Sequence, residues 1–178
     1  MQTGHELFVY ELADILDGER QQAEYLRELS DDSTHPQLKK AFEGHRRETE
    51  KQIERLNQCF ELLGENPEEI PCQGIRGLIE EKRAFMEENP ANDILDIFHA
   101  GAAIRVESYE ICAYKSLILL AREMKHAKVA QLLNQNLREE QSALKKMEGF
   151  SRKLRPEEMM TEEQQQKIRG RRPSRRAA

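Results

Sequence analysis

Six residues of this 178-residue chain have the type and spacing to hold metal ions: Glu19, His45, Glu48, Glu107, Glu110 and Glu140. Each interrupts or borders an otherwise apolar helical register. Around His45 the register reads Leu38, Phe42, His45, Thr49, Gln52, Leu56, Cys59 and Leu63, in steps of four and three that trace one helix face. Glu48 stands one turn beyond His45, on the edge of that stripe. Phe8, Leu12, Ile15, Glu19, Ala23 and Leu26 form a second face, and Ala103, Glu107, Glu110, Tyr114, Leu117 and Ala121 a third. The fourth reads Val129, Leu133, Leu137, Glu140, Leu144 and Met147. An isolated buried carboxylate costs several kcal/mol, about the net stability of a whole domain. Four helices that turn acids inward therefore wet that layer or bind something positive there. Many anionic oxygens, one imidazole and no thiolate suit two divalent iron or manganese ions better than zinc.

The plainer reading is that each acid sits at the rim of its stripe and reaches water, and that His45 is a structural histidine. The recurrence on four helices favours the metal. His5, His35, His99 and His126 read as surface residues near helix ends or turns, and Glu11, Glu43, Glu50, Glu54 and Glu139 as solvated acids. Cys59 and Cys112 read as buried structural thiols.

The elements that must position these residues follow from the same periodicity. The spacing predicts a first helix over 5–29, with Gly18 opening one face to a close neighbour. A second runs over 36–63, with Pro36 near its start and Gly64 at its stop. A long connection follows, carrying one short helix over 77–86. A third helix over 91–123, with a run of small residues at 100–103, precedes a fourth over 126–151. At about 1.5 Å of rise per residue, the acids of each hairpin lie at one height, within about a turn. The expected architecture is all-α: an antiparallel four-helix bundle, with a lengthwise crossover and its short helix between helices 2 and 3.

Composition supports this. Charged residues make up 34%, aromatics 6%, and there is no Trp, the profile of a helical protein with many surface ion pairs. No run approaches the roughly 18 apolar residues of a membrane span, and the first residues do not read as a signal peptide. Three cysteines without a C-x-x-C spacing disfavour a disulfide framework, and the expected compartment is the cytoplasm. From Gln164 onward there are six bases and no acid; taking these from the net charge of −5 leaves −11 on residues 1–163. Residues 1–152 are thus expected to form the folded domain, and 153–178 a flexible basic tail.

The motifs Leu7-Phe8-x-x-Glu11-Leu12-x-Asp14, Glu19-x-Gln21, His45-x-x-Glu48-Thr49-x-x-Gln52-x-x-Arg55-Leu56 and Phe60-x-x-Leu63-Gly64 resemble the first half of the YciE/YciF family of ferritin-like stress proteins. Gly77-Leu78-Ile79, Val106-Glu107-x-Tyr109-Glu110-Ile111, Ala113-Tyr114 and Leu137-x-Glu139-Glu140 follow in the order of its second half. The resemblance spans about residues 5–150. It implies a ferritin-like bundle, often dimeric, with a rubrerythrin-like di-metal centre and a ferroxidase-type role, and position by position it selects the same six ligand candidates. Leu16 departs from the family's usual Tyr, and Leu144 from a common acid. His45-x-x-Glu48 also reverses the usual Glu-x-x-His order of ferritin-like sites.

The expected function is therefore a di-iron or di-manganese carboxylate protein that oxidises Fe(II) with O₂ or hydrogen peroxide, or consumes peroxide, in a stress response. Tyr109 and Tyr114 read as core residues that could also support the ligands. The rival expectation is a metal-free helical bundle that acts by dimerisation, with weak nucleic-acid association through the basic tail.

Overall fold

Thr3 starts the first helix. Its hydroxyl accepts the Glu6 N–H at 3.1 Å while the Glu6 carboxylate accepts the Thr3 N–H at 3.2 Å, so two otherwise orphaned donors are satisfied together. In the computed structural model, which describes residues 1–170, this helix, α1, runs Gly4–Asp32. The next, α2, runs Pro36–Leu63, with Pro36 in its first turn and the His35 ring accepting the Leu38 N–H at 3.3 Å. Gly64 ends it at φ 71°, a left-handed conformation that costs glycine least. The short helix α3 spans Gln73–Glu87, α4 Asn92–Glu123, α5 Ala127–Lys153 and α6 Glu162–Gly170.

Tight turns join α1 to α2 and α4 to α5, and each pair packs lengthwise as a hairpin. α2 meets α5 and α1 meets α4, which closes a four-helix bundle, while α3 lies outside it against α1 and α4. The crossover is clamped at both ends. Asp17 accepts the Cys72 N–H at 2.7 Å. Asp96, near the start of α4, accepts the backbone N–H groups of Thr34 and His35 at 2.8 and 2.9 Å. Gly18 is the close approach expected of it: a Cβ there would lie 3.3 Å from Ile75 and 3.4 Å from the Cys72 sulfur.

The apolar core is split in two. One cluster gathers Phe8, Leu12, Leu56, Phe60, Leu117 and Leu133; the other gathers Tyr25, Leu26, Phe42, Ile75, Val106 and Met147. The polar residues lie between them, at mid-bundle. Among the described residues no helix is long and apolar enough to cross a membrane.

The structure departs from the sequence reading in several places. α3 begins four residues earlier than expected. α6 adds a helix to the segment expected to be a flexible tail, and its side chains are exposed through Ile168. Arg171, Arg172, Arg175 and Arg176 of that tail lie outside the described residues. Gln22 is buried in place of Ala23, and Asn136 and Ala143 in place of Leu137 and Leu144, while the rest of both registers is buried as expected. Leu63 is half-buried. His99 is no surface residue. It is fully buried, and its ring pairs with the Ser33 hydroxyl at 2.9 Å. Burial and the nearby Lys82 ammonium hold its pKa down at about 4, so it is neutral. Cys112 is exposed, whereas Cys72 and Cys59 are buried.

Candidate metal centre

Five of the six candidate residues converge between the two apolar clusters. Glu19 on α1, Glu107 and Glu110 on α4, and Glu140 on α5 are completely buried, and His45 on α2 is 2% exposed. The His45 Nε2 reaches Glu107 Oε1 and Oε2 at 3.0 and 3.1 Å and lies 3.6 Å from Glu140 Oε2. One ligand atom from each of these three residues falls within 4.8 Å of the others, a spacing a single cation can bridge. Glu48 is different. Its side chain is 55% exposed and lies 3.6 Å from His45 Nδ1, on the solvent side of the ring.

Neutral donors brace three of the carboxylates, each at one oxygen. Tyr114 Oη donates to Glu19 Oε1, Gln22 Nε2 to Glu107 Oε1 at 3.3 Å, and Gln52 Nε2 to Glu140 Oε1. Tyr114 in turn accepts from Asn136 Nδ2 at 2.9 Å, and Asn136 Oδ1 accepts from Arg55 at 2.5 Å. Arg55 also pairs with Glu139, which is half-buried and points away from the layer toward that guanidinium. Tyr109 bonds Asp14 and Cys72, not the candidate ligands. Sequence reasoning missed Gln22 and Asn136. A polar residue three positions after Glu19, and another four before Glu140, was the available signal.

Four carboxylate oxygens of this layer have no hydrogen-bond partner although they are buried: Glu19 Oε2, both oxygens of Glu110, and Glu140 Oε2. His45 Nδ1 is likewise without a hydrogen bond. Buried acceptors are normally satisfied, so this concentration in one layer calls for a cation or protons. The donor set fits divalent iron or manganese: hard oxygens from four carboxylates and one imidazole nitrogen, with Glu19 and Glu140 each braced at one oxygen and unpartnered at the other.

The electrostatics of the metal-free layer agree. Burial drives the Glu110 carboxyl well above its ordinary range, and the charges of Glu19 and Glu107 push it further. Burial also raises Glu140 well above that range, with Glu107 adding to it, and lifts Glu19 to about 7 against the pull of the Tyr114 hydroxyl and His45. Burial alone would neutralise His45. The Glu107 carboxylate outweighs it, with help from Glu48 and Glu19, and raises the ring to about 10. Glu107 feels the same burial but keeps its charge beside the imidazolium, below the ordinary carboxylate range.

The pH dependence of the metal-free protein follows from these directions. The raised carboxyls Glu19, Glu110 and Glu140 contribute stability that is complete below the unfolded value of about 4.3 and is lost as pH rises through their folded values. His45 acts in the same sense, its contribution fading from about 6.5 to its folded value of about 10. Glu107 opposes them, since its depressed pKa adds stability that is lost only as pH falls. Metal-free protein is therefore expected to lose on the order of 1–3 kcal/mol between pH 5 and 8. Urea unfolding at the two pH values checks this, and a flat profile would mean that the acids are solvated.

Comparison with known proteins agrees with the fold described. Residues 3–160 match the family described as a domain of unknown function, DUF892. Protein YciF of Escherichia coli K12 is 34% identical over 143 residues, covering 80% of this chain and 86% of YciF. Its crystal structure, described as that of a stress protein, superposes with a TM-score of 0.82 at 32% identity over 85% of this chain and 96% of that one. YcfI from Rhodopseudomonas palustris, provisionally described as a structural protein, gives 0.81 at 36% identity over 83% and 94%. A Xanthomonas campestris protein at 22% identity and TM-score 0.68, over 85% and 92%, shares the fold alone. Such a match along nearly all of the bundle makes this chain a member of the DUF892 family to which YciF is related, with an all-helical fold of the YciF type.

Proposed function

We propose that this protein holds two iron or manganese ions in its mid-bundle layer and uses them in oxidative stress chemistry, as a ferroxidase or a peroxide-consuming oxidoreductase. The ligands in this reading are Glu19, His45, Glu107, Glu110 and Glu140, with Glu48 joining from the solvent side. The observation that carries it is the group of four unpartnered carboxylate oxygens buried around one imidazole. Left charged, such a layer costs the fold free energy, and a cation entering it offsets that cost. The description of YciF as a stress protein gives the reading its setting.

When bound, such a pair of ions supplies electrons to an oxygen-derived oxidant and takes them back from a reductant. The chain's own residues prepare the place. Tyr114 and Gln52 each hold one oxygen of a carboxylate still and leave the other, Glu19 Oε2 or Glu140 Oε2, unpartnered, while Gln22 steadies Glu107 beside His45. The apolar clusters on either side exclude bulk water and strengthen every charge interaction between them. His45 donates its Nε2 proton to Glu107 in the metal-free layer and must give it up to act as a nitrogen ligand there.

One observation favours a second reading. The His45–Glu107 pair is already satisfied within the protein, which is what a metal-free bundle stabilised by its own buried charges would show. Oxidation assays separate the two. Anaerobic Fe(II) followed by O₂ or peroxide should give rapid Fe(III) formation with the wild type, and Glu110→Ala should be slower by about 10–100-fold, the cost of losing a metal-supporting group. Equal rates in the two proteins would mean that the oxidation occurs off the site.

A further inference from the structure

The outer face of this layer carries a feature that metal binding does not explain. Between α2 and α5 a cleft of about 660 Å³ opens over Glu48. Its walls carry Lys40, Arg47, Lys51 and Lys146, all exposed, with Gly44 leaving room between them. Among the described residues none of these four cations has a carboxylate within 4.0 Å, although ion pairs are formed elsewhere on the surface, as at Arg27, Arg83 and Arg105. The single acid in the cleft, Glu48, is turned toward His45 Nδ1, which is buried, lacks a hydrogen bond and faces this side. Four cations against one anion make a positive mouth on a body whose residues 1–163 carry −11 by sequence.

Charge of that sign repels free divalent cations and attracts anions. We propose that the α2–α5 cleft is a binding site for a small oxyanion of at least two charges, phosphate or a polycarboxylate, held by Lys40, Arg47, Lys51 and Lys146 beside the outer edge of His45. The guanidinium of Arg47 offers paired donors to such an oxyanion, and the three lysines surround it with mobile point charges. Glu48 opposes the anion. Its removal therefore strengthens binding, which no general loss of structure would do.

The test needs no metal, so it stands or falls separately from the redox reading. Full-length ¹⁵N-labelled protein is titrated with sodium phosphate and, in a second arm, with citrate, each at constant ionic strength set with chloride. Saturable shifts at the Gly44 and Lys51 amides are expected with one or both anions; which arm saturates at lower concentration identifies the class. Lys51→Ala/Lys146→Ala should weaken binding roughly tenfold, and Glu48→Gln should tighten it severalfold with the fold intact. Shifts that do not saturate, that spread over the surface, or that are the same in the double variant would overturn the proposal, for then the cleft only screens charge.

Discussion

Glu110→Gln is expected to move the stability of the protein in opposite directions with and without metal. Both oxygens of Glu110 are buried and unpartnered, and burial with the neighbouring charges of Glu19 and Glu107 holds its carboxyl well above the ordinary range. Above neutral pH the metal-free wild type must either keep a proton against the solvent or bury another negative charge. The amide removes that penalty at nearly constant volume, so the metal-free variant should be more stable than wild type at pH 8, by about 1–3 kcal/mol. With Fe(II) or Mn(II) present the order reverses. Binding to the folded state alone adds about 2.7 kcal/mol at a hundredfold excess over Kd, worth about 5–10 °C in a domain of this size. The wild type should gain that shift and the variant little of it. Thermal unfolding of chelator-stripped protein, with and without each ion, reads both halves. A variant that melts with wild type in every condition would place Glu110 outside any functional layer.

His45→Ala should be the most damaging single change in the metal-free protein. Among the described residues the imidazolium is the cation in direct contact with the buried carboxylates: its Nε2 serves Glu107 at 3.0 Å and approaches Glu140 at 3.6 Å. Removing it leaves Glu107 charged and unpaired in the interior, which typically costs about 3–5 kcal/mol. In a two-state domain of this length that is a fall of roughly 6–20 °C. The loss should shrink as pH is lowered, because Glu107 can then take a proton in place of its partner. Urea unfolding at pH 7 and pH 5 checks both points. A loss below about 1 kcal/mol at pH 7 would mean that water already solvates Glu107.

Much of this was legible in the chain because the bundle obeys simple rules. The four-and-three registers ran through Glu19, His45, Glu107, Glu110 and Glu140, and all five are buried. Pro36 and Gly64 marked the ends of α2 by conformational preference alone. What periodicity could not fix was which of two neighbouring residues, about 100° apart around the helix, turns inward at a given turn. That error placed Leu137 and Leu144 where Asn136 and Ala143 belong, and hid the Asn136–Tyr114 support for Glu19. The same margin leaves Glu48, at a stripe edge, half in solvent. His99 was missed for another reason. Its burial depends on the Ser33 turn and on α3 folding back with Lys82, contacts distant in sequence. No local pattern announces them.

The central claim is that cations occupy the layer formed by these helices, and the amount of metal the protein carries tests it most directly. Protein purified without chelators, after growth with iron and manganese supplied, should contain about two ions per chain by elemental analysis, as expected of di-metal carboxylate bundles. Glu19→Ala and Glu110→Ala, confirmed as folded by circular dichroism, should contain markedly less. Wild type with only trace metal, matched by both variants, would contradict the account and leave the layer as a proton-sharing polar core.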